Sequence, residues 1–380
     1  MTLIAKLSLY EIPILVGDLL ITSARIDQPD ETISIPAFQD VNSVLKSLGA
    51  GFAVRGMFQK INKLSEKLYV AVAGDGHQIE IFLKRLSIVA NDTNLDFDAI
   101  DKMIYSIDMC ERNNIQATMF ISWFDQGADE TRFQCIDYRM KRISDDLFGT
   151  ISVAGSGADD FLRVLEEARE NAMHMYGYHK TICKAFSVGL MSALTCLDTV
   201  LGGCTMSRWG GGFEVLIYDE LSKQFCKIGG IVHLHFKVDI NENKTGTITM
   251  IPLVLHVFYV DDIMYQHVFD YTPCGENTLR AKRNELLYAT PILFQGEIDI
   301  EKVRSTMSAM QWKYICCHSF ISHRKTIHRL QRLYYKDDGA EGFVFRMEQG
   351  DNFFMAIKST ILEQLLSDAQ ALIESSPHST

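Results

Sequence analysis

The sequence lacks a long apolar run and an excess of positive charge, and each absence excludes a class of protein. No apolar run reaches the roughly 18 residues that a membrane-spanning helix needs, and the most apolar later stretch, Ile251 to Val260, is short and rich in β-branched residues. The formal net charge is −11, whereas binding to the phosphates of nucleic acids requires a basic surface. We therefore expect neither a membrane nor a nucleic acid as the main partner of this protein.

The sequence also lacks any pair of cysteines in a CxxC arrangement. Its nine cysteines are scattered along the chain, which is typical of reduced and mostly buried thiols. Cys316-Cys317-His318 resembles a ligand cluster, but it has no partner pair at the spacing of a zinc site. The sequence therefore predicts no metal and no other cofactor.

The residues that are present describe a globular protein with a large core. Of the 380 residues, 47% are hydrophobic and 22% are charged, which excludes a disordered chain. This length predicts one large domain with an extension, or two domains. The composition favours a soluble, cytoplasmic protein.

The N-terminal segment, MTLIAKLSLYEIPILVGDLLITS, alternates apolar and polar residues from Leu3 to Leu9. This alternation predicts a β-strand, and a turn near Glu11 leads into a second, more buried strand. A secretory signal is the alternative interpretation, but Glu11 and Asp18 interrupt the apolar region, and only Lys6 supplies positive charge before it. We prefer the hairpin, in which Asp18 needs a buried partner because an unpaired carboxylate in an apolar strand is costly.

The elements that follow are grouped rather than strictly alternating. The segment 27–56 is polar and irregular, and we interpret it as an insertion with one short helix. After it the patterns predict strands near Lys60 and at 68–73, two helices, further strands, two more helices ending at Leu201, and strands from Phe213 onwards. Paired helices on paired sheets predict an α+β fold, a four-layer αββα sandwich.

Several polar residues and glycines occur at spacings along the chain that together form a motif. Gly17-Asp18 lies sixteen residues after Thr2, and Lys60 precedes Gly74 by fourteen residues. A Gly155-Ser156-Gly157 turn and Asp198 follow. This set of residues resembles the N-terminal-nucleophile hydrolases of the proteasome β-subunit and bacterial HslV type, over roughly residues 1–235.

The resemblance implies a specific role for each of the matching residues. Thr2 is the nucleophile once Met1 is removed, and its freed α-amine acts as the base. Asp18 keeps Lys60 charged and oriented, and the lysine in turn helps to polarise the hydroxyl. The backbone N–H of Gly74 faces the developing oxyanion, where a glycine lets the substrate approach closely.

Four further positions complete what the resemblance implies. Ser156 and Asp198 form hydrogen bonds around the terminal amine and transfer protons. The backbone of Thr22 pairs with an extended substrate peptide, and Val72 lines a specificity pocket that favours apolar side chains. The sequence departs from the family at Leu201, which stands where the family has a serine that supports the amine.

The expected function is therefore that of a threonine-type peptidase or amidase. The resemblance also implies a homo-oligomer, with a ring as one form, a peptide or protein substrate, and an ATP-dependent unfoldase or other activator. Two alternatives stay open. One is a catalytically silent scaffold or interaction protein, and the other is a small-molecule amidase that uses the same nucleophile.

The C-terminal third does not share this resemblance. We divide the chain into a core, residues 1–240, and an α/β extension, residues 241–380, whose strands continue the core sheet in one interpretation. His323 to Lys336 is the basic stretch of an acidic chain, and it reads as a solvated helix face or, alternatively, as a surface for nucleic acid or an acidic partner. Phe353 to Ile373 reads as an amphipathic helix that docks on the core or on a neighbouring subunit.

Overall fold

The computed structural model describes residues 2–24, 32–91, 97–107, 114–125, 130–174, 182–219, 222–243, 245–273, 278–308, 312–336, 342–347 and 352–375. The chain forms two compact units. The first comprises residues 1–228 and 289–296, and the second comprises residues 229–288 and 297–380. The predicted division after residue 240 thus falls at the end of a strand of the second unit, and a short later segment returns to the first.

The strands are β1 (Leu3–Leu9), β2 (Ile12–Asp18), β3 (Leu20–Ser23), β4 (Ala53–Gln59), β5 (Ile61–Lys63), β6 (Leu68–Gly74), β7 (Ile115–Asp125), β8 (Glu130–Tyr138), β9 (Lys141–Asp145), β10 (Gly149–Gly155), β11 (Phe213–Asp219), β12 (Gln224–Lys227), β13 (Ile231–Ile240), β14 (Gly246–Val260), β15 (Ile263–Pro273), β16 (Thr278–Pro291), β17 (Tyr314–His323), β18 (Thr326–Tyr335), β19 (Phe343–Met347) and β20 (Asn352–Ile357). The helices are α1 (Val41–Ser47), α2 (Gly76–Ala90), α3 (Phe97–Ser106), α4 (Ala158–His174), α5 (Ile182–Leu201), α6 (Gly203–Met206), α7 (Ile300–Ser308) and α8 (Ser359–Ser375).

A six-stranded antiparallel sheet at the chain start positions the candidate site of the first unit. Its strand order is β12-β11-β2-β1-β10-β9. β1 and β2 form the predicted hairpin, and its two turn residues, Tyr10 and Glu11, both have positive φ angles, as tight two-residue hairpin turns require. β1 and β2 are central strands, so nearly all of their side chains are buried.

A four-stranded sheet, in the order β5-β6-β7-β8, packs against the first one. Apolar side chains of the two sheets form a shared cluster that includes Ile4, Leu15, Ala71 and Phe120. A second cluster joins β6 and β7 to the apolar faces of α2 and α3, whose buried residues recur at helical spacing. Helix α4 contacts β1 and β10, and α5 contacts β2 and β11.

Helix α5 corrects one sequence-based expectation. The residues Ile182–Val200 are long and apolar enough to cross a membrane by length and composition. However, 72% of that window is buried inside the protein, as in the core helix of a globular unit. This helix, the one such candidate among the described residues, is mostly buried and is consistent with a soluble protein.

The second unit is built around long strands. The main path of its sheet runs β18-β17-β13-β14-β15-β16-β20-β19. Helix α8 packs against β13, β14 and β17, and buries Leu365, Ala369 and Ile373. In the first unit β3 pairs with β4, and β4 pairs in parallel with Thr290 and Pro291 at the end of β16.

The predicted fold class, a four-layer αββα sandwich with an α/β extension, is wrong. Among the described residues, strands make up 48% and helices only 30%, in sheets of six, ten and four strands. The prediction of a sandwich rested on residues 1–235, whereas the long strands β14 to β18 lie after that part of the chain. The protein is therefore mostly β.

Two C-terminal segments that were predicted as helices form strands instead, the first throughout and the second at its start. The basic stretch from His323 is not a helix: it forms a turn and then β18, which pairs along its whole length with β17. The residues Ile327, Leu330 and Leu333 match helical spacing, but hydrogen bonding to a neighbouring strand overrides such a short pattern. The predicted helix from Phe353 begins only at Ser359, since residues 352–357 form β20.

Candidate functional site

The hydroxyl group of Thr2 lies in direct contact with the carboxylate of Asp18. Thr2 directly precedes β1, Asp18 ends β2, and the pairing of Ile4 with Gly17 brings the two side chains together. Thr2 Oγ1 donates a hydrogen bond of 2.5 Å to Asp18 Oδ1. Only 4% of Thr2 and none of Asp18 is exposed to solvent. The hydroxyl is therefore held by a fully buried acceptor.

Asp18 accepts two further hydrogen bonds from the backbone. The N–H of Leu3 donates to Oδ1 at 2.9 Å, and the N–H of Gly210 donates to Oδ2 at 2.9 Å. Burial raises the pKa of Asp18 above its ordinary value, while Lys60 and these hydrogen bonds act in the opposite direction. Two opposing effects thus act on the pKa of Asp18: burial favours its protonated form, whereas Lys60 and the hydrogen bonds favour its charged form.

Lys60 is the buried cation of this site. It lies between β4 and β5, is 2% exposed, and donates from Nζ to the carbonyl oxygen of Leu20 at 3.1 Å. Burial lowers the pKa of its ammonium group, whereas Asp18 and Glu214 raise it. Gly17 leaves room for it: a Cβ atom at Gly17 would lie 3.1 Å from Cβ of Lys60. The structure therefore brings Thr2, Asp18 and Lys60 together.

A buried ion pair, which the sequence analysis missed, adds to the charges around Asp18 and Lys60. Glu214 lies in β11 opposite Gly17, is fully buried, and accepts a 2.7 Å hydrogen bond from the N–H of Ile61. Its Oε2 is 3.2 Å from Nζ of Lys227. The signal was available, because a glutamate in the apolar run FEVLIY raises the same question as Asp18. Two buried carboxylates and two lysines thus neutralise each other within the first unit.

The turn Gly155-Ser156-Gly157 encloses the backbone carbonyl of Thr2. Gly155 has a φ angle of +93°, and a Cβ atom there would lie 1.7 Å from the carbonyl oxygen of Thr2. The N–H of Gly157 reaches the same oxygen at 3.5 Å. The Ser156 side chain is exposed and donates to the carbonyl oxygen of Arg208 at 3.4 Å. The turn therefore contacts Thr2 through its glycines, while the serine hydroxyl points to another acceptor.

Asp198 is buried in α5 and holds a glycine loop. Its Oδ1 accepts from Thr205 Oγ1 at 2.9 Å, and its Oδ2 accepts from the N–H of Gly211 at 2.7 Å. Burial raises its pKa to about 6. Because the neighbouring N–H of Gly210 donates to Asp18, this loop connects the two carboxylates. The sequence analysis did not use the run Gly210–Gly212, although three adjacent glycines in RWGGGF indicate a tightly constrained backbone.

The three predicted substrate-contact residues lie in different surroundings. Gly74 is exposed at the end of β6 and has a φ angle of +136°. A Cβ atom at this position would collide with the carbonyl oxygen of Asn114. Val72 is fully buried in the apolar cluster between β6, β7, α2 and α3. Thr22 is half-buried in β3 and pairs with Val54. Among the strands that the structure describes, β3 pairs with β4.

The chemistry of this site is that of proton transfer. Its side chains are a hydroxyl, a carboxylate and an ammonium group, and both carboxylate oxygens of Asp18 already accept hydrogen bonds from the protein. A metal ion would have to compete with these donors, so the residues do not suit a metal. A comparison with models of known protein families finds no match for the chain, and a search of curated proteins finds no significant match either.

Proposed function

We propose that this protein is a threonine-type hydrolase that cleaves amide bonds through Thr2 after removal of Met1. The observation that carries the proposal is the hydrogen bond from the Thr2 hydroxyl to Asp18, a buried carboxylate whose charge is coupled to that of Lys60. A hydroxyl is a weak nucleophile unless a nearby base accepts its proton. In this proposal Asp18 and the amine of Thr2, once freed by removal of Met1, are the two groups that accept it.

The proposed reaction begins with attack of Thr2 Oγ1 on the carbonyl carbon of an amide. A C–O bond forms, the carbonyl oxygen becomes an oxyanion, and the hydroxyl proton passes to the amine of Thr2 or to Asp18. The C–N bond then breaks as this proton is delivered to the leaving amine, which leaves an ester on Thr2. Water attacks the ester, releases the acid and restores the hydroxyl.

The cost of the buried charges supports a functional role. An ion pair that is removed from water seldom stabilises a protein more than apolar side chains of similar size would. Asp18 and Lys60 are 0% and 2% exposed, so their retention is better explained by chemistry than by stability. Perturbed pKa values of this kind are concentrated at functional sites.

The substrate proposed for this site is a peptide or protein. In this proposal the backbone of β3 at Thr22 pairs with an extended chain, and the N–H of Gly74 stabilises the oxyanion. Because Val72 is buried in the core, we do not assign it a pocket of its own. A cytoplasmic location, a homo-oligomer and an ATP-dependent unfoldase are parts of the same proposal.

One observation favours a second candidate, a catalytically silent scaffold. Thr2 is 4% exposed, and Asp198 is occupied by Thr205 and Gly211 rather than by the start of the chain. In a scaffold the same hydrogen bond would only hold the first strand in place. Retention of Met1 would decide for this candidate, because the proposed amine would then be absent.

The test is the intact mass of the purified protein with and without a peptide epoxyketone, a reagent that requires both the hydroxyl and the free amine of an N-terminal threonine. We expect loss of Met1 and one adduct per chain. Thr2→Ala should give no adduct, and Lys60→Met should form it at least tenfold more slowly. Lys63→Met is the matched control, since Lys63 is a lysine at a more exposed position that pairs with Glu66.

Two results would overturn the proposal. A retained Met1 with no adduct would leave the scaffold. An adduct that persists in Thr2→Ala would show that another residue reacts. Each variant is first compared with the unmodified sequence by circular dichroism and thermal unfolding, so that a loss of reaction is not confused with a loss of folding.

A further inference from the structure

Lys60 lies where the chain passes from one sheet to another. β4 ends at Gln59 and pairs with β3, whereas β5 begins at Ile61 and pairs with β6. The carbonyl oxygen of Lys60 accepts a hydrogen bond of 3.1 Å from the N–H of Val72 in β6. This carbonyl and the N–H of Ile61 belong to one planar peptide unit, so the N–H points away from β6. A buried N–H that points out of its strand pair needs an acceptor elsewhere.

Glu214 supplies that acceptor from the six-stranded sheet. Its Oε1 atom accepts a hydrogen bond of 2.7 Å from the N–H of Ile61, and the side chain is fully buried. The backbone of Lys60 contributes a further hydrogen bond to the same carboxylate. One side chain of β11 thus holds the peptide that follows Lys60.

Glu214 and the stem of Lys60 meet at Gly17. The register between β2 and β11 pairs Glu214 with Gly17. A Cβ atom at Gly17 would lie 3.1 Å from Cβ of Lys60 and 3.4 Å from Oε1 of Glu214. Gly17 directly precedes Asp18 in β2. The carboxylate of Glu214 therefore holds Lys60 against the strand that carries Asp18.

Lys227 compensates the charge of Glu214 and contacts the residues on both sides of Lys60. Its Nζ lies 3.2 Å from Oε2 of Glu214 and donates to the carbonyl oxygen of Ile61 at 3.1 Å. The same Nζ donates to Oε1 of Gln59. Glu214 and Lys227 thus hold the backbone before and after Lys60, and we call these two residues the backbone clamp.

The backbone clamp also acts on the charge of Lys60. Burial lowers the pKa of the Lys60 ammonium group, whereas Asp18 and Glu214 raise it. Burial raises the pKa of Glu214, whereas Lys227 and the backbone hydrogen bonds lower it. Each buried acid therefore favours the charged form of a neighbouring lysine, as opposite charges at short range do.

We propose that Glu214 is a positioning residue for Lys60, which it holds beside Asp18 and Thr2 through the N–H of Ile61. Lys227 is the counter-ion that lets this acid stay charged away from water. The inference rests on the proposed hydrolase function, because that function gives Lys60 its part in the reaction. Since Glu214 acts through Lys60, its loss should slow the reaction at Thr2 without weakening the binding of a ligand.

The test is the rate of adduct formation with the peptide epoxyketone, followed by intact mass at several reagent concentrations. This separates the maximal rate constant, kinact, from the half-saturating concentration, KI. Two double variants are compared, Glu214→Gln/Lys227→Met and Glu214→Leu/Lys227→Met. Both remove the same two charges, but only the glutamine keeps a side-chain oxygen that can accept from Ile61. We expect kinact to be about tenfold lower in the leucine variant than in the glutamine variant, with KI equal within about twofold.

Two single variants complete the test. Glu214→Asp keeps the charge but withdraws the carboxylate by one methylene, so it should lower kinact by about tenfold at an unchanged KI. This variant carries the test if the leucine variant does not fold. Asp137→Asn is the matched control, because Asp137 is a buried acid of the same unit that pairs with Lys6 at 3.0 Å. Its kinact should stay close to that of the unmodified chain.

The outcomes separate this inference from the hydrolase proposal. If the unmodified chain forms no adduct, both are overturned. If it forms the adduct but the leucine and glutamine variants react with equal kinact, only the positioning role of Glu214 is overturned. A loss of kinact in Asp137→Asn as large as that in Glu214→Asp would also contradict this role, because any buried acid of the unit would then have the same effect.

Discussion

The Thr2–Asp18–Lys60 site and the buried histidines of the second unit, His233, His235 and His318, are both buried polar clusters, but they avoid the cost of burial in opposite ways. The first keeps its charges and balances them, because Asp18 and Glu214 face Lys60 and Lys227. The second gives up its charge, because burial holds its imidazoles in the neutral form. Removing one partner of a balanced pair leaves a buried charge uncompensated, which lowers the stability of the fold. The stability contributed by buried neutral groups depends mainly on pH.

The largest effect that this comparison predicts is the loss of stability when Lys60 is replaced. Replacing it in Lys60→Met leaves the buried carboxylate of Asp18 without its cation, so the free energy of unfolding should fall by about 3–5 kcal/mol. Urea unfolding followed by circular dichroism measures this. The control Lys63→Met should change stability by less than about 0.5 kcal/mol, because exposed ion pairs contribute little. Equal effects of the two substitutions would show that Lys60 is not the compensating charge.

The second prediction concerns His235, which is fully buried in β13. The pKa of His235 is about 4 in the folded protein against an ordinary value of 6.5, so the unfolded chain binds more protons between these values. Its contribution to stability is therefore present above pH 6.5 and is lost as the pH falls to 4, by about 3–4 kcal/mol. His235→Leu should lose this part of the pH dependence while being almost as stable at pH 7.5.

The measurement is urea unfolding of both proteins at pH values from 4 to 7.5. His233 and His318 still titrate in the variant, so the informative quantity is the difference between the two curves. A difference that does not depend on pH would contradict the prediction that His235 is buried and neutral.

The third prediction has the opposite sign and concerns Asp198. Its pKa is raised from 3.8 to about 6 by burial, so the folded protein binds more protons than the unfolded chain in this window. The contribution of Asp198 to the free energy of unfolding should fall by up to about 3 kcal/mol as the pH rises from 4 to 6, and it should be constant above pH 6. The difference in unfolding free energy between the unmodified chain and Asp198→Asn over this range measures it, and a difference that grows with pH would contradict it.

The smallest predicted effect is the loss of the Thr2 hydroxyl. Thr2→Val keeps the shape of the side chain, and Asp18 retains the N–H groups of Leu3 and Gly210. We expect a loss of about 1–2 kcal/mol, typical of a buried hydrogen bond to a charged acceptor. Thermal and urea unfolding of Thr2→Val and the hydroxyl-bearing Thr2→Ser measure the effect of the hydroxyl itself. A similar loss in Thr2→Ser would assign it to packing instead.

Part of the candidate site could be predicted because its signal is local. The alternation in β1 and the turn before β2 predicted a hairpin, and a carboxylate in the apolar β2 demanded a partner. The same argument would have found Glu214, which is also a single acid within an apolar strand. The contact between His235 and His318 could not be found this way, because nothing in the sequence specifies that β17 pairs with β13 across about 80 residues of chain.

The fold was less predictable than the hairpin. Helices α2 and α5 were evident from their spacing, yet the predicted sandwich was wrong because strands dominate the chain, and the basic stretch predicted as a helix pairs as β18. Short apolar patterns do not distinguish a helix from a strand when a neighbouring strand can satisfy the backbone.

The sequence by itself determined where polar groups must be buried, since a charged residue within an apolar run has no water to contact wherever the strand is placed. Only the tertiary structure decided which groups meet. Thr2 reaches Asp18 through the register of one hairpin, Lys60 arrives from another strand pair, and His235 faces His318 because two distant strands lie side by side. The physical reason is that burial depends on the composition of one segment, which the sequence shows directly. Contact between two side chains depends on which strands form backbone hydrogen bonds with each other, and the sequence does not specify that pairing.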